Sequence, residues 1–176
     1  MNLPNKLTVL RVIMVPFFIV AYLLGHYFVA LIIFVLASFT DYLDGKIARD
    51  KGLVSNFGKI MDPLADKILV YSALCLFLQF GYIKAWMLIV ILAREFAVAG
   101  MRTVAASEGK VLAADMSGKI KTVLQMVGVS VMLFGLAIPS NENILIAGSF
   151  IFLASVIMTV YSGCEYIIKN KDIFSM

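Results

Sequence analysis

Residues 41–66 read DYLDGKIARDKGLVSNFGKIMDPLAD, and four of their five acids, Asp41, Asp44, Asp62 and Asp66, stand at i,i+3 and i,i+4 spacings. On a helix those spacings put each pair on one face. The apolar runs on either side, 27–40 and 68–80, hold only 14 and 13 uncharged residues. A helix needs about 20 residues to cross the hydrocarbon of a bilayer. Both helices are therefore predicted to run on through their acids, the first through Asp41, Asp44 and Ala48, the second from near Gly58 or Lys59. That puts the first pair within the margin of the membrane and Asp66 on the order of 12 Å along its helix. Carboxylates in such a place are costly unless they pair, line a polar cavity or hold a cation.

Working outward, the chain divides into six apolar segments. The first covers roughly 7–24, with Pro4 read as opposing an earlier helix, Thr8 as an N-cap and Pro16 as a kink point. Gly25-His26 and Gly81-Tyr82 are predicted turns, and His26, the sole histidine, is read as an interfacial turn residue. A fourth segment, about 85–106, carries Arg94 and Glu95 near its middle; a fifth, about 117–138, begins with Lys119 and Lys121; a sixth covers 143–168. In the connector between the acidic pairs, Ser55 or Asn56 is a candidate cap for the third segment.

The 176 residues are 62% hydrophobic, so the expected class is an all-α, polytopic membrane protein of six transmembrane helices, one domain over 1–176. Its polar cavity is expected to open to the cytoplasm. Lysines and arginines crowd the N-terminus, the 46–59 connector, 102–121 and the tail, while the opposite loops hold Lys84. The positive-inside rule then puts both termini in the cytoplasm and the chain in the cell membrane. The net charge of +4 suits an anionic membrane surface or anionic substrate, and no nucleic-acid partner is expected. Cys75 and Cys164 lie in apolar runs and are expected to be buried thiols rather than a disulfide.

Four carboxylates with little soft-ligand chemistry nearby favour hard divalent ions, Mg2+ or Mn2+, and two ions are plausible. Two such ions about 4 Å apart suit phosphoryl displacement, because they neutralise diphosphate oxygens and leaving group together. Gly45 and Ala48 leave room on the same turns, and Arg49 and Lys59 add charge for phosphate.

Asp41, Asp44, Gly45, Ala48, Arg49, Gly58, Asp62 and Asp66 fill a pattern, D-x2-D-G-x2-A-R-x8-G-x3-D-x3-D, that resembles the motif of the CDP-alcohol phosphotransferase family. The resemblance implies six helices, a homodimer, a divalent metal site and a CDP-linked donor whose CMP is displaced by an alcohol. It implies Asp41, Asp44 and Asp62 as metal ligands and Asp66 as a ligand that also takes the alcohol's proton. Gly45, Ala48, Arg49, Ser55 and Gly58 would serve the donor, with Asn5 and Thr8 beside the nucleotide. The opening NLPNKLTVLRV and the segment 94–122 resemble the phosphatidylglycerophosphate synthase branch of the family, which implies CDP-diacylglycerol as donor and glycerol 3-phosphate as acceptor.

Independently of the resemblance, a phosphorylated acceptor needs further cations. Lys59, Arg94, Arg102, Lys110, Lys119 and Lys121 are the candidates. Arg94 leads, because a mid-span arginine is expected to face a cavity rather than lipid. The bland reading of the others is positive-inside charge. Two alternatives stand beside this function: the same chemistry on another alcohol (inositol phosphate, serine or phosphatidylglycerol), and a cation or proton transporter using intramembrane aspartates as its relay.

Overall fold

A computed structural model of the chain describes residues 3–50, 56–107, 109–110, 112–113 and 115–171, and their side chains apart from those of 3–6, 41–50, 56–60, 62–63 and 66. The described residues form six helices and no strand: α1 (Leu3–Leu23), α2 (Tyr27–Asp50), α3 (Asn56–Gln79), α4 (Ala85–Ser107), α5 (Met116–Ala137) and α6 (Glu142–Lys169). Helices α2 and α3 run through their acidic ends without a break, as the length argument predicts. Gly25 and Gly81 lie at φ +78°. After each, the next residue's N–H reaches back to the helix, His26 to the Ala21 carbonyl (2.9 Å) and Tyr82 to the Phe77 carbonyl (2.8 Å). This left-handed glycine stop satisfies carbonyls that the helix end would otherwise orphan.

Two expectations are corrected. Helix α1 begins at Leu3, not after Thr8. Pro4 falls in the first turn, where its missing N–H has no intrahelical acceptor to lose, so it opens the helix rather than delaying it. Thr8 is inside α1 and fully buried, so it is not an N-cap. Cys75 and Cys164 are unbridged, as expected, but both are exposed on the outer surface of their helices.

Helices α5 and α6 make the most extensive contact, and glycine is the reason. A Cβ added at Gly128 would stand 2.9 Å from the Phe152 backbone, one at Gly135 2.6 Å from the Leu145 nitrogen, and one at Gly148 2.7 Å from the Met132 nitrogen. The two backbones therefore touch, the close approach that small residues permit between helices in lipid. Helix α1 packs on α2 and α3, α2 on α5, and α4 on α6, while α3 meets α4 and α5 only sparsely. The core between them is built from Phe18, Tyr22, Phe34, Phe77, Ile91, Met132 and Phe152.

Large apolar side chains crowd the exterior as well as the core. Phe17, Phe96, Phe150 and Ile168 are each more than 60% exposed, whereas Thr8, Arg11, Lys121, Gln125 and Thr159 are buried. A soluble protein would hide the first set; lipid as the surrounding solvent accounts for both. Helices α5 and α6, at 22 and 28 residues, are long and apolar enough to cross a membrane. Apolar stretches in α1, α2 and α3 are shorter, Leu7–Leu23, Tyr27–Thr40 and Lys67–Gln79.

Candidate active site

Asp41 and Asp44 lie in the last three turns of α2, and Asp62 and Asp66 in the first three of α3. Counting along the axes at about 1.5 Å per residue, Asp44 and Asp62 stand about 9 Å from the facing helix ends, and Asp41 and Asp66 about 13–15 Å. The short connector thus brings an inner and an outer pair to the same end of the two helices. The side chains of Asp41, Asp44, Gly45, Ala48, Arg49, Gly58, Lys59, Asp62, Asp66 and Asn5, and Ser55 entirely, lie outside the described residues. Among the described residues no three His, Cys, Asp or Glu side chains gather. The donor set at the hairpin, four carboxylates, fits a hard divalent ion and no soft one.

Helix α1 supplies a polar wall beside this hairpin. Thr8 and Arg11, three residues apart and so on one face, are both buried. Arg11 Nε donates to the Ala37 carbonyl at 3.3 Å, and Thr40 Oγ1 donates to the same oxygen at 2.7 Å. Ala37 is one helical turn before Asp41. Arg11, a residue the sequence reading left unassigned, thus reaches the turn that precedes the first aspartate, and Thr8 lies one turn before it on the same buried face of α1.

The second polar region spans α3, α4 and α5. Glu95 gathers three cations: Lys67 Nζ lies 3.1 Å from Oε2, Arg94 Nη1 lies 3.2 Å from Oε1, and Lys121 Nζ makes a close ion pair with Oε1. Because α3 meets α4 and α5 only sparsely, these long side chains bridge a gap between helices. Lys67, Glu95 and Lys121 line a cleft of about 60 Å³ with Tyr71, Thr122 and Gln125, and Arg94 stands beside it through its contact with Glu95. Among the described residues, three cations against one carboxylate leave this cluster a formal charge of +2.

Arg94 is held from its other side by glycine. A Cβ on Gly118 would stand 3.0 Å from Arg94 Nη2, and one on Gly163 would stand 3.0 Å from its Cγ. The guanidinium therefore lies over α5 and its stem over α6. Of the proposed acceptor-binding cations, the structure brings Arg94 and Lys121 together. Arg102, two turns farther along α4, donates from Nε to Tyr166 Oη at 3.1 Å and stacks over that ring at 5.4 Å. Lys119 and Lys110 are exposed. Sequence reasoning passed over Lys67 and Glu95 as site residues. Both carried a signal in the rule that an ionisable group inside an apolar helix needs a partner: Glu95 had three candidate cations, and Lys67 directly follows Asp66.

The sequence profile of the family described as CDP-alcohol phosphatidyltransferase matches residues 1–161. The chain is 43% identical to the CDP-diacylglycerol--glycerol-3-phosphate 3-phosphatidyltransferase of Bacillus subtilis, over 97% of this chain and 96% of the relative. Proteins of the same name from Rickettsia felis (34%, over 98% and 97%) and Haemophilus influenzae (33%, over 94% and 91%) are also similar along nearly their whole length. Both the match to the family profile and the similarity to these relatives cover the acidic hairpin and the cation cluster alike, and the chain belongs to the CDP-alcohol phosphatidyltransferase family.

Proposed function

We propose that this chain transfers the phosphatidyl group of CDP-diacylglycerol to sn-glycerol 3-phosphate, releasing CMP and forming phosphatidylglycerophosphate for phospholipid synthesis. One observation carries the reading. On α3, Asp66 closes the acidic motif and the next residue, Lys67, belongs to the cation cluster with Arg94 and Lys121. A place for a metal-bound diphosphate thus abuts a place for a second phosphate. An acceptor that carries its own phosphate uses both, and the names of the similar proteins specify that pair of substrates.

Asp41, Asp44, Asp62 and Asp66 would hold two divalent ions, Mg2+ or Mn2+, which when bound neutralise the donor's diphosphate and ease departure of CMP. The acceptor's hydroxyl oxygen bonds to the β-phosphorus as the bond from that phosphorus to the CMP oxygen breaks. CMP leaves with the bonding pair, and the hydroxyl proton passes to Asp66. Lys67, Arg94 and Lys121 hold the acceptor's phosphate so that its free hydroxyl points at the donor. Gly45, Ala48, Arg49, Ser55 and Gly58 form the donor's seat, with Asn5 and Thr8 beside it. Arg102, Lys119 and Lys59 guide the anionic acceptor toward the cleft.

All six helices cross or enter the cell membrane, with both termini and the acidic hairpin on the cytoplasmic side. The supports are the apolar exterior and the distribution of lysine and arginine. Resemblance to the family supports a homodimer. The test is CMP release by the purified full-length protein from CDP-diacylglycerol against a panel of acceptors. Metal-dependent release with glycerol 3-phosphate, and little with glycerol, serine or inositol phosphate, is expected. Equal use of glycerol and glycerol 3-phosphate would overturn the acceptor assignment, and cation flux in liposomes without CMP release would overturn the enzyme.

A further inference from the structure

We infer that Glu95 is a positioning residue for the acceptor, the internal counter-ion that holds Lys67 and Lys121 in one phosphate-sized cleft and Arg94 at its edge; the inference rests on the acceptor reading above. Three cations from three helices would repel one another across a gap lined by Val70, Ile91 and Met126. Glu95 offsets that repulsion with both oxygens, Oε2 toward Lys67 and Oε1 toward Arg94 and Lys121.

The carboxylate does not exhaust its partners. Each ammonium has three N–H donors and the guanidinium five, so every cation retains donors after its bond to Glu95. Arg94 is the fixed member, clamped over Gly118 and Gly163, and Glu95 follows it in the chain. Lys121 and Lys67 arrive on flexible stems from α5 and α3, and the carboxylate draws them to Arg94. The charge of +2 that remains among the described residues matches a phosphate monoester dianion, with no reorganisation of three long side chains left for the moment of binding. Glu95 thereby acts on the acceptor through the cations, and the donor's site is not touched.

The experiment is steady-state kinetics of the full-length protein in mixed micelles, varying glycerol 3-phosphate at saturating CDP-diacylglycerol and the reverse. Wild type, Glu95→Gln, Glu95→Asp and Lys121→Met are compared. Glu95→Gln should raise the acceptor KM at least about tenfold, with kcat within about threefold and the donor KM within about twofold. Glu95→Asp, which keeps the charge, should fall between it and wild type. If Glu95→Gln fails to fold, Glu95→Asp decides alone, and a wild-type acceptor KM in it overturns the inference. So does a parallel rise of both KM values in Glu95→Gln, because that describes a helix-packing role. Lys121→Met separates the two levels: an unchanged acceptor KM there removes the phosphate seat itself. A raised one beside an unaffected Glu95→Gln removes only the role given to Glu95.

Discussion

The acidic hairpin of α2 and α3 and the cation cluster of α3, α4 and α5 are built on opposite electrostatic plans. The cluster contains its own counter-ion: Glu95 takes Lys67, Arg94 and Lys121, which holds the three cations together and offsets one of their three charges. The hairpin's motif supplies four carboxylates from two helices, a surplus that asks for ions from outside. On the proposed function, the cluster can assemble with the fold and wait for a substrate, whereas the hairpin would be completed by its ions. Helix α3 joins them, because adjacent residues on a helix point about 100° apart and Asp66 and Lys67 can serve two neighbouring sites.

The sharpest way to break that contrast is to remove the hairpin's charge. Asp41→Asn, Asp44→Asn and Asp62→Asn should each lower turnover by about a thousandfold or more, since each removes a ligand of ions that hold a diphosphate. Chelation of wild type should do the same, reversed by added Mg2+ or Mn2+. CMP release is the measurement, and activity within about tenfold of wild type in all three variants would exclude a two-metal hairpin. The cluster variants should be indifferent to this axis, with their metal concentration for half-activity unmoved.

Asp66 stands where the two plans meet, and its effect should be smaller. A positioned base contributes roughly 10²–10⁴-fold, so Asp66→Asn should lose about that much kcat while still binding a CDP-diacylglycerol analogue. Asp41→Asn should lose binding and turnover together. Titration of the analogue against both variants, alongside CMP release, makes the distinction; an Asp66→Asn protein with near-normal kcat would move the base elsewhere.

Much of this was written in the sequence, for physical reasons that differ by region. Helix bounds were legible because lipid forces a minimum length: a run of 14 or 13 apolar residues had to borrow its remaining turns from the acidic stretch, and α2 and α3 do run through it. The turns at Gly25 and Gly81 were legible because little but glycine accepts φ +78°. The start of α1 was misread because Pro4 was given its interior meaning, and its first-turn meaning applied. Cys75 and Cys164 were misread because an apolar neighbourhood means burial in water and exposure in lipid. The partners of Arg94 were illegible. Which of several lysines reaches a mid-helix charge depends on how α3, α4 and α5 are spaced, and no local pattern carries that spacing.

Within the cluster, removing a cation should cost less than removing a metal ligand, because the acceptor's phosphate keeps its other partners. Lys121→Met and Arg94→Ala should each lower kcat/KM for glycerol 3-phosphate by about tenfold to a hundredfold, roughly 1.4–2.8 kcal/mol. The donor's KM should hold. A variant in which both substrates suffer alike would merge the two regions into one and end the comparison.

The smallest expected effect tests the glycine clamp on Arg94, and it separates the position of a charge from its presence. Gly118 sits on α5 where an added Cβ would stand 3.0 Å from Arg94 Nη2, tighter than an ordinary contact. The obstructed atom is the end of a long side chain, so the guanidinium can yield by a few tenths of an ångström without moving either helix. Gly118→Ala also exchanges a poor helix former for the best one, which offsets the strain by up to about 1 kcal/mol. Folding should therefore survive and thermal stability should change little. Arg94 would be pushed off α5, and its guanidinium would shift relative to Glu95 and the edge of the cleft. A rise of about threefold in the acceptor KM is expected, near 0.6 kcal/mol, with the donor's KM and the metal requirement unchanged. The same substitution at Gly128, whose Cβ would meet the Phe152 backbone at 2.9 Å, supplies the contrast. It should lower the unfolding temperature and leave both KM values alone, since what it displaces is the α5–α6 contact and no charge of the site. An acceptor KM that answered to Gly128→Ala and ignored Gly118→Ala would mean that Arg94 is set by bundle packing, and that the clamp is incidental to binding.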